Sequence, residues 1–99
     1  MEIVVRLPED RPPQTLQKVV TAIRSQKLGV KHEHKNWGDW LRLEGCETVI
    51  SIECLNGFTS SATIEHSDDD SEEVLPALYR AFDKLGWEGY DEDGPYCLV

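Results

Sequence analysis

The sequence predicts an α+β domain, a two-layer sandwich in which two helices cover one face of an antiparallel sheet. In the strand-like segments apolar residues alternate with polar ones, which is typical of a sheet with one face in water. Two further segments carry apolar residues at helical spacing. The predicted order is β-α-β-β-β-β-α, with room for a short strand over Tyr96–Val99. The 99 residues are expected to form a single domain, 1–99.

A strand and a helix come first, joined by a proline-rich connection. Ile3–Leu7 places its odd-numbered residues on one side, and the prolines that follow end the strand. A helix is predicted over Gln14–Leu28, because apolar residues recur there every three to four positions. Gly29 is predicted to end this helix in the left-handed conformation.

The segment Val30–Glu44 predicts a hairpin that turns at 36–39. This register opposes matched side chains: Lys35 with Trp40, Glu33 with Arg42, His34 with Leu41, His32 with Leu43. Across the next turn Leu43 is expected to face Ile50, and Leu41 to face Ile52. If the segment were one long strand instead, the domain would be ferredoxin-like.

A second hairpin is predicted over Val49–His66, with its turn at Asn56-Gly57. A two-residue turn would pair Cys54 with Thr59 and mismatch the apolar faces. We therefore expect a three-residue loop with a bulge at Leu55–Gly57. One buried side then contains Ile50, Ile52, Cys54, Phe58, Ala62 and Ile64.

The second helix is preceded by an acidic run. Asp70 and Glu73 have the spacing of a capping box, and Pro76 requires that the helix begin near Ser71–Glu73. Gly86 is predicted to end the helix in the same way that Gly29 ends the first.

This order of elements is similar to the TATA-box-binding-protein-like topology, β-α-β4-α. The resemblance is one of element order, and it implies the fold without implying the function.

Charge and composition exclude several classes of partner. The net charge is −9, which disfavours nucleic acid and anionic membranes, because both are bound mainly through basic residues. The N-terminus lacks the pattern of a signal peptide, and no apolar run is long enough to span a membrane. The three cysteines lack the spacing of a disulfide framework, so reduced thiols and a cytoplasmic location are expected.

Two histidines form the sharpest candidate for a metal site. His32 and His34 are two residues apart on a predicted strand, so both project to one side, as metal-binding histidines often do. Asp39, His66 or a cysteine would have to supply a third ligand. The competing interpretation is a pair of histidines at a partly covered sheet edge.

Aromatic residues near turns are the candidates for partner binding. These residues are Trp37, Trp40, Trp87 and Tyr90. No catalytic motif or cofactor-binding pattern is present. The sequence thus favours a small acidic protein without catalytic activity that acts through protein contacts, either as a homodimer or as an inhibitor or immunity-type partner of a basic protein. The alternative is a ligand pocket between helices and sheet, near His32, His34, Cys54 and Tyr79.

Overall fold

A computed structural model describes residues 2–70 and 72–99 and confirms the α+β class. Its eight strands form one antiparallel sheet. The strands are β1 (Glu2–Arg6), β2 (Gln14–Thr15), β3 (Val30–Lys35), β4 (Gly38–Leu43), β5 (Val49–Leu55), β6 (Phe58–Glu65), β7 (Glu88–Asp91) and β8 (Gly94–Tyr96). The order across the sheet is β3-β4-β5-β6-β1-β7-β8, and β2 pairs with β6 beyond the end of β1. Because residues 30–43 form two strands, the ferredoxin-like alternative is wrong.

Two helices, α1 (Leu16–Arg24) and α2 (Val74–Lys84), supply the second layer. Their apolar stripes meet the alternate strand residues that face inward, which is the arrangement predicted from periodicity. The large apolar side chains that are fully buried include Val5, Val19, Ile23, Leu41, Ile50, Ile52, Ile64, Leu78 and Phe82.

The first helix is shorter at both ends than predicted. Thr15 caps it by accepting a hydrogen bond from the Lys18 amide at 3.2 Å, while Gln14 and Thr15 pair with β6 instead of joining the helix. After Ser25 the left-handed position is taken by Lys27, not by Gly29. Gly29 instead accepts a backbone hydrogen bond from Glu44 at 2.9 Å, and a Cβ at Gly29 would require the exposed Glu44 side chain to move.

The end of the second helix confirms the prediction for Gly86, which has φ +85°. The amide of Gly86 donates to Asp83 and that of Trp87 to Phe82, both at 2.9 Å, which together form a Schellman motif. The Trp87 indole packs on Phe82 with ring centroids 5.1 Å apart, and its N–H donates to the Gln14 side chain at 2.9 Å. Trp87 is therefore part of the core.

The predicted capping box at Asp70 and Glu73 is wrong. Glu73 takes the N-cap position of α2 without a side-chain hydrogen bond, and Ser71, also considered for the helix start, lies outside the described residues. The carboxylate of Asp70 is buried and accepts from the Thr48 hydroxyl at 2.6 Å and the Glu47 amide at 3.1 Å. It secures the turn between β4 and β5.

The registers of the first two strand pairs differ from prediction by two residues. The β3–β4 hairpin turns at Asn36-Trp37, so that His32 opposes Leu41 and His34 opposes Asp39. Across β4 and β5, Leu41 opposes Ile50 and Asp39 opposes Ile52. A shift of two residues keeps every side chain on its predicted face, so the apolar pattern could not detect it.

The β5–β6 hairpin contains a bulge, but not where it was predicted. Asn56 and Gly57 form a two-residue turn, both with positive φ, and Leu55 pairs with Phe58. The register shifts beyond Glu53 and Cys54, which leaves Ser60 as the extra residue. Thr59 is consequently buried, whereas Phe58 lies on the outer face of the sheet, which the helices do not cover.

Candidate functional site

The two hairpin turns at Asn36-Trp37 and Asn56-Gly57 lie at the same end of the sheet, because successive antiparallel strands reverse direction. Glu53 and Leu55 alternate with inward-facing residues of β5, so both face outward. Apolar side chains collect on this outer face close to the turns. We call this set the hairpin-tip surface: Pro13, Trp37, Leu55 and Phe58.

The hairpin-tip surface is strongly exposed for an apolar cluster. The exposed fraction is 50% for Trp37, 77% for Leu55 and 49% for Phe58. The four residues line one groove of about 390 Å³, whose remaining lining comes from β5 and β6. An apolar surface that surrounds a groove is a feature of protein-binding sites.

The neighbouring Trp40 gives Trp37 a fixed support. The two indoles meet edge to face with centroids 6.2 Å apart. The Lys35 ammonium lies 4.5 Å from the Trp40 ring centroid, and Arg42 lies 5.2 Å from it. Glu33 pairs with Arg42 at 3.2 Å, so this charge pair forms across the diagonal even though the register differs from prediction. Trp40 is half-buried under these side chains.

Basic side chains lie beside the hairpin-tip surface. Pro13 and Phe58 also line a second groove, which carries Arg11 and Lys18. The acidic residue in the first groove is Glu53. In a chain of net charge −9, the two grooves therefore carry more basic than acidic side chains.

A cluster of titratable side chains lies on the inner face near the same hairpin tip. Asp39 is buried, and one of its carboxylate oxygens accepts from His32 Nε2 at 2.5 Å and from His34 Nδ1 at 3.1 Å. The Cys54 thiol lies beside Asp39, in the lining of the same pocket. Burial raises the pKa of Asp39, but the hydrogen bonds from His32, Cys54 and His34 outweigh it, and the pKa lies below its ordinary value.

This cluster is poorly suited to nucleophilic catalysis. Burial, then the hydrogen bond to Asp39, raises the pKa of Cys54 to about 12, so the thiol stays protonated at neutral pH. In the described part of the chain both imidazoles bond to Asp39 and neither forms a hydrogen bond with the thiol, whereas a general base must contact the nucleophile. His34, Asp39 and Cys54 line a pocket of about 330 Å³ beside Leu16.

The predicted metal ligands His32 and His34 do converge, on Asp39. Both imidazoles use the converging nitrogen to donate a hydrogen bond to the carboxylate. Within residues 2–70 and 72–99, no group of three or more His, Cys, Asp or Glu side chains is arranged to hold a metal ion. His66, considered as a third ligand, follows β6 at the opposite end of the sheet.

The remaining predicted site residues are dispersed. Trp87 is 2% exposed and belongs to the core. Tyr90 lies on the outer face under Arg6, whose guanidinium is 3.3 Å from the ring centroid. Tyr79 lies near Tyr96 of β8, which is the edge of the sheet opposite to β3 and its histidines. Burial, followed by the charge of Tyr96, raises the pKa of Tyr79. The predicted ligand pocket therefore does not include Tyr79.

The end of the sheet opposite the hairpin tips is acidic. The turn of β7 and β8 lies there, together with the start of β1 and the segments that flank β5 and β6. Glu2, Glu47 and Glu65 line one pocket of about 320 Å³ beside His66. We call this set the acidic end, with further exposed carboxylates at Asp69, Glu92 and Asp93.

The sequence did not identify Leu55 and Phe58 as binding-site residues. It predicted Leu55 in a loop and Phe58 in the core. The misplaced bulge is the cause, since moving the extra residue to Ser60 exchanges Phe58 with Thr59 between the two faces. The Asn56-Gly57 dipeptide was the signal that could have found them. As a plain two-residue turn, it makes its flanking residues a cross-strand pair.

No protein-family model matches the chain, and none of the curated proteins compared with it matches either. Neither helix in the described part of the chain is long and apolar enough to cross a membrane.

Proposed function

We propose that this chain is a cytoplasmic binding protein without catalytic activity, which contacts a protein partner through the hairpin-tip surface. One observation carries the proposal: Trp37, Leu55 and Phe58 are exposed together around a groove, on the face of the sheet that no helix covers. Aromatic residues that border a groove are typical anchors of protein interfaces.

The edges of the sheet support a contact through this surface instead of strand addition. The edge strand β3 carries Lys31, Glu33 and Lys35, and charged side chains of this kind discourage pairing with another chain. The other edge, β8, has three residues and contains Pro95, which cannot donate a backbone hydrogen bond.

The chemistry of the thiols supports the proposed cytoplasmic location and the proposed lack of catalytic activity. Cys46, Cys54 and Cys97 are all free, as expected in a reducing compartment such as the cytoplasm. The raised pKa of Cys54 removes the thiol closest to a histidine cluster from the list of effective nucleophiles.

A second candidate function is the binding of a basic partner by the acidic end. The observation in its favour is the convergence of Glu2, Glu47 and Glu65 on one pocket. A surface of this charge would steer a basic protein toward it from a distance.

Site-specific photo-crosslinking in living cells separates the two candidates. A benzophenone side chain would replace Phe58, Asp69 or Val99, which represent the hairpin-tip surface, the acidic end and an exposed control position. We expect protein adducts from position 58 that excess unlabelled wild-type protein suppresses. Adducts from position 69 but not 58 would favour the basic partner, and equal labelling from all three positions would overturn the proposal.

A further inference from the structure

The turn between β5 and β6 contains a chemically reactive pair, Asn56-Gly57. The main-chain nitrogen that follows an asparagine can attack the side-chain amide carbon of that asparagine, and a glycine favours the attack because it has no Cβ to obstruct it. Asn36-Trp37 takes the equivalent place in the β3–β4 hairpin, with a bulky indole after the asparagine. The chain contains no other asparagine, so the two turns provide a direct comparison.

The structure leaves the reacting groups of Asn56-Gly57 accessible. Both residues are exposed, and a Cβ built on Gly57 would have no atom within 4 Å. Within residues 2–70 and 72–99, neither the Gly57 amide nor the Asn56 side chain has a hydrogen-bond partner. The Gly57 carbonyl is anchored by the Leu16 amide at 3.2 Å, on the far side from the reacting nitrogen. The nitrogen and the amide carbon can therefore approach each other when the Asn56 main chain rotates.

We propose that Asn56 is a site of spontaneous deamidation. The Gly57 nitrogen loses its proton to hydroxide and forms a bond to Cγ of Asn56. The bond from Cγ to Nδ2 breaks, and Nδ2 takes up a proton from water and leaves as ammonia. A second water molecule then opens the resulting succinimide ring at either of its carbonyl carbons. One opening gives aspartate, and the other gives isoaspartate, in which the main chain runs through the former side chain.

Both products change the hairpin-tip surface. Each replaces a neutral amide by a carboxylate next to Leu55 and close to Phe58. Aspartate keeps the two-residue turn, because Asp-Gly also favours it. Isoaspartate adds one main-chain atom to the turn that pairs Leu55 with Phe58. A partner bound at these apolar residues would have to desolvate the new charge, so deamidation weakens the contact, a consequence that rests on the proposed function.

The test is peptide mapping by mass spectrometry while the purified chain is incubated at mildly alkaline pH, where the Gly57 nitrogen is more readily deprotonated. We expect Asn56 to be converted into aspartate and isoaspartate at least about ten times faster than Asn36, a ratio that corresponds to a barrier difference of about 1.4 kcal/mol. N56G keeps a turn-forming Gly-Gly pair, and its charge on isoelectric focusing should stay constant. Equal conversion of Asn56 and Asn36, or conversion of neither, would overturn the inference.

Photo-crosslinking from position 58 separates this inference from the proposed function. The N56D variant carries the charge of the aspartate product, and it should give fewer competed adducts than N56G, with circular dichroism showing that both are folded. Equal adducts from the two variants would overturn the effect on the partner. If Asn56 is converted but the wild type gives no competed adducts, the modification stands and the proposed function fails. If adducts form and Asn56 keeps its amide, the proposed function stands and the inference fails.

Discussion

The two ends of the sheet use the same structural device beneath opposite surfaces. At each end a buried aspartate holds a turn by accepting several hydrogen bonds: Asp39 at the hairpin tips and Asp70 at the acidic end. At the end of the sheet that contains Asp39, the outer face exposes apolar side chains, whereas the exposed side chains around Asp70 are carboxylates. The two ends are therefore alike in how they are stabilised and differ in what they present to a partner.

The donors to the two aspartates also differ. Asp70 accepts from a hydroxyl and a backbone amide, neither of which titrates near neutral pH. Asp39 accepts from the side chains of His32 and His34 on β3. The acidic end is thus held partly through the backbone, whereas the hairpin-tip end is held through side chains.

The largest expected effect on stability is at the acidic end. D70A would leave the buried Thr48 hydroxyl and the Glu47 amide without their acceptor, at a cost of about 1–3 kcal/mol in the free energy of unfolding. D70N keeps an acceptor oxygen and should cost less. Urea denaturation measures both, with the exposed D69A as the control, which should stay within about 0.5 kcal/mol. A D70A variant as stable as D69A would show that Asp70 does not secure the turn.

The next effect is a pH dependence that belongs to Asp39. Its folded-state pKa lies below the ordinary value of 3.8, so its stabilising contribution is complete above that pH and is lost as the pH falls through the lower, folded value. D39N should lack this part of the acid-induced loss of stability. Urea denaturation between about pH 5 and pH 2 compares the two proteins. Parallel stability curves over this range would refute the role given to Asp39.

A smaller difference is expected between the two histidines. His32 bonds to Asp39 at 2.5 Å with a side chain that is 42% exposed, whereas His34 bonds at 3.1 Å and is 83% exposed. We expect H32A to cost about 1 kcal/mol at neutral pH. H34A should cost less than about 0.5 kcal/mol. Equal costs would mean that the two hydrogen bonds are equivalent.

The smallest expected effect is that of added metal. Both converging imidazole nitrogens already donate to Asp39, so zinc would have to displace these hydrogen bonds in order to bind. We expect Tm to be unchanged when zinc is added at neutral pH. A rise in Tm that is present in the wild type and absent in H32A would instead establish the metal site that the histidine spacing suggests.

The face of the helix or sheet on which a residue lies could be predicted from the sequence, because it depends on periodicity. The helical stripe around Val19 and Ile23 and the alternation in β5 assign each residue to a face whatever its exact neighbours are. The exact registers could not be predicted, since a slip of two residues leaves both faces intact. For the same reason the predicted site put His34 opposite Leu41, and the structure put it opposite Asp39.

Contacts between residues that are far apart in the sequence could not be predicted. Asp70 has the sequence spacing of a cap but binds a turn that lies 22 residues earlier in the chain, through Thr48. Trp87 looked like an exposed aromatic after a helix, but Gln14 supplies a partner for its indole N–H and makes its burial favourable. Local sequence contains neither relationship.

The most direct test of the contrast between the two ends is an amide chemical-shift map. Spectra of the isotope-labelled chain would be recorded while the apolar, anionic dye anilinonaphthalene sulfonate is added, with the amides of Trp37, Leu55 and Phe58 compared with those of Glu65 and Asp69. We predict dye-dependent shifts around the hairpin tips and none at the acidic end. Shifts at the acidic end with a silent hairpin-tip surface would contradict the account.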